Sequence, residues 1–169
     1  MIWLGLNCGF GCTDCAELKW INVDLKSARV HFPRGKTGVG RNLPLWPETV
    51  QALNEVAKSG ELVFYTPRGH PCVRGLQGVT GDGNNKYNSS NAISRRFSSL
   101  LKKAGIKVEK GVGFYTLRRT AATIAARSGD PFAVQKLLGH ADLQMATRYV
   151  QDVSAQTDRV IEKSRMYLI

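Results

Sequence analysis

Apolar residues recur every three or four positions through much of the chain, which predicts a mainly helical fold. A helix opens at Pro47, where proline suits the first helical position, and Val50 and Leu53 follow at helical spacing. Another begins after Asp130, a residue type that caps helices, and ends at Gly139. Further helices are predicted over residues 1–8, from 13 onward, from 90 or 91 to 103, and over 116–128, 143–150 and 155–166.

Short stretches of alternating apolar and polar residues predict a three-stranded antiparallel sheet over 20–24, 28–32 and 41–45. Pro44 lacks a backbone N–H, so the third of these strands should lie at an edge or end early. Residues 67–91 are rich in glycine, which predicts a long loop, and loops of that length are usually functional or disordered. The fold class is therefore α+β, mainly helical, with a small sheet on one edge.

The net charge of the chain says more about its partner than the overall composition does. The 169 residues contain 24 Lys and Arg against 13 Asp and Glu, a formal net charge of +11. The excess is +1 over residues 1–66, +7 over 67–110 and +3 over 111–150. A small domain this basic argues against a general metabolic enzyme and for a polyanionic partner, most often nucleic acid. The plain alternative is a solvated helix face, where runs of charge usually lie.

The first six residues form the longest apolar run, which is too short to cross a bilayer. No basic segment precedes this run, as it would in a signal peptide, so we expect a cytoplasmic protein with no membrane partner. The four cysteines do not suggest a disulfide scaffold in that compartment.

A metal site is the first candidate chemistry. Cys8, Cys12 and Cys15 have a spacing that could place three thiols on one helical face, but a Gly-Phe-Gly break lies between them. Cys72 stands alone, and a structural zinc site needs four closely spaced ligands. We therefore expect no metal, and interpret the cysteines as small core residues.

Phosphoryl transfer on a nucleic acid backbone is the second candidate. It needs fixed cations around the reacting phosphorus, a nucleophile and a proton donor, because catalysis there is electrostatic and positional. Such groups recur late in the chain: Arg118 and Arg119 near a helix start, His140 just after a helix end, and Tyr149 nine residues further on.

Three segments, RRTAAT (118–123), VQKLLGH (134–140) and ATRY (146–149), together resemble the catalytic signature of the tyrosine recombinases, or phage integrase family. Residues 13–24 resemble that family's opening helix and first strand, and residues 36–45 resemble its β-hairpin. The resemblance covers nearly the whole chain in order, and the Leu-Gly-His to Tyr block is its most specific part.

The resemblance implies site-specific DNA recombination by strand cleavage and rejoining, as in the integrase of a phage or mobile element. Tyr149 would attack the phosphate and form a 3′-phosphotyrosyl bond, Arg118 and His140 would bind that phosphate, and Lys36 would protonate the leaving 5′-oxygen. No cofactor is implied, because the phosphotyrosine conserves the bond energy for rejoining. Taken alone, Tyr149 is also consistent with a half-buried helix aromatic, and Lys36 with a solvated hairpin lysine.

The sequence departs from the family pattern at two positions. The family's first arginine falls on Gly11, and the family's histidine three residues before Arg118 falls on Tyr115, which we count among the candidate catalytic residues. Lys19 or Arg119 could supply the missing cation. Two alternative functions therefore stay open: a DNA-binding module of the same fold with impaired catalysis, and a type IB-like topoisomerase.

The expected partner is double-stranded DNA, and we expect residues 1–169 to be a catalytic domain truncated at its N-terminus and without the family's core-binding domain. The helix over 155–166 either docks on a neighbouring copy in a homo-oligomer or folds back on its own domain. The candidate DNA contacts are Arg41, Arg95, Arg96, Arg119 and Arg148.

Overall fold

The computed structural model describes residues 1–79, 85–147 and 161. The strands occur as one group of three and one group of two between the helices, and most of the helix lies in the second half of the chain. The helices are α1 (Ile2–Cys8), α2 (Cys12–Glu17), α3 (Pro47–Asn54), α4 (Ala92–Lys103), α5 (Phe114–Ala126), α6 (Pro131–Leu138) and α7 (Gln144–Thr147), and a 3-10 turn covers Trp20–Asn22. The strands are β1 (Val23–Asp24), β2 (Arg29–His31), β3 (Asn42–Pro44), β4 (Val73–Val79) and β5 (Asn85–Asn91).

The predicted three-stranded antiparallel sheet is confirmed, in the order β1-β2-β3. Val30 in the middle strand pairs with Val23 on one side and Leu43 on the other, and its side chain is fully buried. The first strand is shorter than predicted, because the 3-10 turn replaces its first half. The sheet is small, and its long β2–β3 connection reaches toward α6.

The prediction of one long loop over residues 67–91 is wrong. Strands β4 and β5 form an antiparallel hairpin there, with register running from Val73 opposite Asn91 to Val79 opposite Asn85. Glycines lie within β4, and the segment shows no apolar alternation. The alternation of apolar and polar residues that marks a half-buried strand is therefore missing from the sequence, and the backbone pairing could not be predicted from it.

The main core lies between α1, α2, the three-stranded sheet, α4 and α5, around Leu4, Phe10, Leu18, Val30 and Phe114. Helix α1 packs closely on α5: a β-carbon at Gly5 would lie 2.9 Å from Leu117 Cβ. A second cluster joins α5, α6 and α7. Together these packings fix α1, α5 and α6 relative to one another, and the candidate site lies where those three helices meet.

The interpretation of the cysteines as core residues is confirmed for three of the four, Cys8, Cys15 and Cys72, which are buried as free thiols. Burial raises the pKa of Cys8 to about 12 and also raises that of Cys15, so both stay protonated and unreactive at neutral pH. The fourth, Cys12, is half-buried, with its sulfur 3.4 Å from Ser94 Oγ.

The predicted ends of α6 are also confirmed. The Asp130 carboxylate accepts hydrogen bonds from the backbone N–H groups of Phe132 and Ala133, and Gly139 ends the helix with a φ of 62°. Helix α5 begins two residues earlier than predicted, which places Tyr115 in its first turn. The predicted helix over 155–166 lies outside the described residues except for Ile161, which is helical. None of the described helices is long and apolar enough to cross a membrane.

Candidate active site

The site is built on the sharp turn between α1 and α2. Helix α1 ends at Gly9, whose φ of 62° is a left-handed conformation that favours glycine. Two residues later the backbone N–H of Gly11 donates a 2.8 Å hydrogen bond to Asp14 Oδ2. The turn therefore directs the Gly9 carbonyl and the Asp14 carboxylate toward the same region, beneath α5 and α6.

Asp14 is shared between two buried arginines. Its Oδ1 accepts a 2.6 Å hydrogen bond from Arg41 Nη2, and its Oδ2 lies 3.8 Å from Arg118 Nη1. The Arg41 side chain has no exposed surface, and its guanidinium carbon lies 4.6 Å from the centre of the Phe10 ring. Arg41 therefore lies inside the domain and does not line the open pocket described below, and its contact with DNA stays a prediction.

Arg118 is held by backbone carbonyls from two other elements. Its Nη1 donates to the Gly9 carbonyl and its Nη2 donates to the Leu138 carbonyl, at 2.5 and 2.7 Å. Only 3% of the residue is exposed. Burial is the main cause that lowers the pKa of Arg118, and the neighbouring Arg34 is the next. The ordinary pKa of a guanidinium lies so far above neutral that the side chain still stays charged at pH 7. The result is a rigid cation that ties α1 to the end of α6.

His140 follows Gly139, so the left-handed turn that ends α6 also orients the imidazole. Its backbone N–H donates to the Gln135 carbonyl at 3.1 Å, while its Nδ1 is buried with no hydrogen-bond partner among the described residues. Burial, and then the charges of Arg118 and Arg34, lower the pKa of His140 to about 4. The imidazole is therefore neutral at pH 7 and suited to donating one hydrogen bond rather than supplying a charge.

The β2–β3 connection docks on this helix end. Thr37 Oγ1 donates a 2.8 Å hydrogen bond to the Gly139 carbonyl, and Arg34 Nη1 donates a longer one, 3.4 Å, to the same oxygen. Lys36 lies between these two anchors and is exposed. The hairpin tip is thus fixed against α6, which holds the lysine beside the site.

An open pocket of about 440 Å³ lies between the turn, the hairpin tip and the start of α5. Its wall includes three of the predicted catalytic residues, Lys36, Tyr115 and Arg118, together with Arg34 and the backbone of Gly11. Tyr115 is 54% exposed. Three cations and one carboxylate, Asp14, line the pocket, so it is positively charged and suited to an anion.

Not every predicted residue is part of this group. Tyr149 and Arg148 lie outside the described residues. Arg119 is exposed beside Thr116 and does not line the pocket, and Lys19 pairs with Glu61 at 2.7 Å. Neither of these two side chains therefore occupies the place of the missing arginine.

Arg95 and Arg96 are exposed on the first turn of α4. Both line a second open pocket of about 400 Å³, together with Arg68 and Arg74. This cluster of four arginines lies in the most basic part of the sequence. Within the parts of the chain that the structure covers, no three His, Cys, Asp or Glu residues cluster in a way that could hold a metal ion.

Sequence reasoning missed Arg34 and the central role of Asp14. Arg34 lies two residues before Lys36, so the only signal available was its position in the predicted hairpin tip. In the sequence, Asp14 is only an acidic residue near a helix start, and nothing local reveals that two arginines from distant segments converge on it.

Comparisons with known proteins show a shared fold. Among solved structures, the fold is similar to XerA recombinase (TM-score 0.65, 23% identity, 96% of this chain and 56% of that one). It is also similar to the Tn1549 transposon integrase in complex with a circular intermediate DNA (TM-score 0.65, 19% identity, 98% and 57%). A lambda integrase dimer bound to a COC′ core site is a further match (TM-score 0.61, 22% identity, 90% and 41%).

The chain thus spans roughly half the length of these neighbours, and at such low identity they show the shared fold of tyrosine recombinase catalytic domains. No curated protein is similar enough in sequence to match. The model of the phage integrase family matches residues 1–156, nearly the whole length. The chain belongs to the phage integrase family.

Proposed function

We propose that this protein binds double-stranded DNA and cleaves and rejoins one strand through a covalent tyrosine intermediate, as a site-specific recombinase. The observation that carries the proposal is the placement of Lys36, Tyr115 and Arg118 around one cationic pocket, with His140 next to Arg118. Membership of the phage integrase family supports the reaction class, and the three neighbouring structures come from recombinases and integrases.

In the proposed reaction, the hydroxyl oxygen of Tyr149 attacks the scissile phosphorus. A new bond forms between the phosphorus and the tyrosine oxygen, and the bond to the 5′-oxygen breaks. The tyrosine proton passes to a base or to water, and Lys36 gives a proton to the leaving 5′-oxygen. Rejoining is the reverse, with a 5′-hydroxyl as the nucleophile, so no external energy source is consumed.

The surrounding groups act on the charge that develops at the phosphate. Arg118 is already fixed by two carbonyls and Asp14, so it needs no reorganisation when negative charge grows on a nonbridging oxygen. Neutral His140 can donate a hydrogen bond to the same phosphate. Tyr115 can donate one from its hydroxyl but is a poor base near neutral pH.

DNA recognition on this account rests mainly on phosphate contacts. We propose that Arg95 and Arg96, with the neighbouring Arg68 and Arg74, bind the backbone at some distance from the pocket, and that Arg119 adds a further contact. Such contacts position the duplex but carry little sequence information.

One specific observation favours a second function, a DNA-binding module with impaired catalysis. Gly11 leaves the family's first arginine position without a side chain. Loss of one charged phosphate ligand typically costs on the order of 10²–10³ in rate. A protein of this kind would still bind DNA but would form little covalent product.

The test is incubation with a nicked suicide DNA substrate, which traps the covalent intermediate because the cleaved fragment diffuses away. The recombinase proposal predicts an adduct that is lost in Tyr149→Phe, a variant that keeps the ring and removes only the nucleophilic oxygen. Binding of the same DNA, measured in parallel, should be unchanged in the variant. Binding without any adduct over a broad set of target sequences would favour the second function.

A further inference from the structure

The pocket contains an unassigned cation, and the position of that cation suggests a role. We propose that Arg34 is a ligand of the scissile phosphate and supplies the guanidinium that Gly11 cannot provide. The inference rests on the strand-cleavage function proposed above. It names a residue that the family motif does not mark.

The pocket has room for a guanidinium where the family's first arginine would enter. A β-carbon at Gly11 would meet Asp14 Oδ2 at 3.6 Å and Tyr115 Cδ2 at 3.7 Å, which are ordinary contacts. Gly11 lines the open pocket, and the ring of Tyr115 is the nearest bulky side chain to it. A phosphate bound there would meet Arg118 but no cation from position 11, so a second cation would have to come from another element.

Arg34 is a second arginine in this pocket. It lies in the hairpin tip and lines the same pocket as Gly11 and Arg118. Its side chain runs along Gly139: a β-carbon there would lie 3.1 Å from Arg34 Cβ and 3.3 Å from its Cδ. The stem of the side chain is therefore held by packing, while the guanidinium end has one long hydrogen bond, 3.4 Å, to the Gly139 carbonyl.

Arg34 forms no direct ion pair with a described carboxylate, and the Glu17 carboxylate that lies against the next residue, Gly35, is not paired with it. Among residues 1–79 and 85–147, no carboxylate lies within ion-pair distance of it, whereas Asp14 is already shared by Arg41 and Arg118. Arg34 also lies close enough to Arg118 and His140 to lower the pKa of both. Arg34 and Arg118 thus converge on one pocket whose single carboxylate, Asp14, is already shared with Arg41, and an anion stabilises such an excess of positive charge.

The chemistry of the guanidinium fits the assignment. A planar guanidinium binds phosphate with two parallel hydrogen bonds, and four of the five Arg34 N–H donors form no hydrogen bond to the described residues. Arg34 and Arg118 would bind different nonbridging oxygens of the phosphate, and neither would transfer a proton. Arg34 would thereby perform the electrostatic task of the missing arginine from a different element of the fold.

The experiment compares single-turnover cleavage of the nicked suicide substrate by the whole 169-residue chain and its variants. Arg34→Ala should lower the cleavage rate on the order of 10²–10³-fold. The matched control is Lys19→Ala, which removes one positive charge from an exposed side chain outside the pocket and should leave the rate unchanged. The double variant Gly11→Arg with Arg34→Ala should recover most of the loss, because Gly11 has an extended conformation that any residue adopts.

Rescue separates the two roles that Arg34 could have. If Arg34 served only to hold the hairpin against Gly139, an arginine at position 11 would not restore the rate. The inference is overturned if Arg34→Ala cleaves as fast as the unmodified chain, or if the double variant is no faster than Arg34→Ala alone. Either result would leave the cleavage function itself standing, since the unmodified chain still forms its Tyr149-dependent adduct.

A second measurement decides the case in which the unmodified chain forms no adduct, so that the proposed function fails. Inorganic phosphate should then raise the Tm of the chain, because a ligand of the folded state stabilises it. The rise should be kept in Lys19→Ala and lost in Arg34→Ala. No rise in the unmodified chain, or an equal rise in Arg34→Ala, would overturn the assignment of Arg34.

Discussion

Replacing Asp14 by asparagine tests the buried charge cluster on which the site is built. The substitution keeps the size of the side chain and an oxygen that can accept from the Gly11 N–H, but it removes the only negative charge that pairs with the two buried guanidiniums in the described part of the chain. The Arg41 side chain is completely buried and Arg118 is 3% exposed, so water cannot compensate for the loss. Removing one partner of such a buried pair costs about 3–5 kcal/mol.

This cost translates directly into a thermal shift. For a chain of this size each kcal/mol lowers the Tm by about 2–4 °C, so Asp14→Asn should lower it by roughly 6–20 °C. The assay is urea unfolding followed by tryptophan fluorescence, with thermal unfolding in parallel. Glu61→Gln is the matched control, because it makes the same chemical change in an exposed ion pair with Lys19, where the expected cost is about 0–1 kcal/mol.

A double variant identifies the cause. In an Arg41→Met background one buried cation is already gone, so Asp14→Asn should cost clearly less than it does in the unmodified chain. The reasoning is refuted if Asp14→Asn is no more destabilising than Glu61→Gln, or if its cost is the same in both backgrounds. Either result would mean that the Arg41–Asp14–Arg118 cluster does not organise the site.

Five further variants test other parts of the site and of the basic surface. Because the pKa of His140 is about 4 in the fold and 6.5 in the unfolded chain, the unfolded state binds more protons between those values. The free energy of unfolding should therefore fall as the pH drops from 6.5 to 4, and His140→Gln should flatten this dependence in urea titrations. Gly9→Ala should cost at least about 1–2 kcal/mol in the same titrations, because φ is positive there and Leu138 Cδ2 would lie 3.0 Å from the new methyl group. Arg95→Ala and Arg96→Ala should each weaken DNA binding evenly across sequences and reduce the slope of log K against log salt by about one, as measured by fluorescence anisotropy; an unchanged slope would contradict the phosphate contacts. Lys36→Ala should cleave ordinary DNA slowly but should cleave a substrate with a 5′-bridging sulfur at nearly the unmodified rate, since a thiolate leaves without a proton; equal defects on both substrates would contradict its role as the acid.

Local features of the sequence were sufficient to predict α6 and the place of His140. Asp130, Pro131 and Gly139 act within one turn of the helix ends, so their chemistry can be interpreted without knowing the rest of the fold. The family motif likewise pointed to Arg118 and Lys36, and the structure places both at the pocket.

Features that depend on distant contacts were not predictable. Arg41 was named only as a candidate DNA contact, and nothing in the sequence shows that a carboxylate 27 positions earlier in the chain, Asp14, holds it inside. Arg34 donates a hydrogen bond to Gly139, 105 positions later in the chain, and no local sequence pattern predicts that contact. The hairpin of β4 and β5 was not predicted for a different reason: its two strands pair through the backbone, and their sequence shows no alternation of apolar and polar residues.

We propose above that Tyr149 forms a covalent bond with DNA beside the pocket that Arg118, Lys36 and Arg34 line. The most direct measurement is mass spectrometry of the trapped adduct after nuclease and protease digestion. We expect a single modified peptide with a 3′-phosphonucleotide on Tyr149. A nucleotide on any other residue, or DNA binding with no modified peptide, would contradict it.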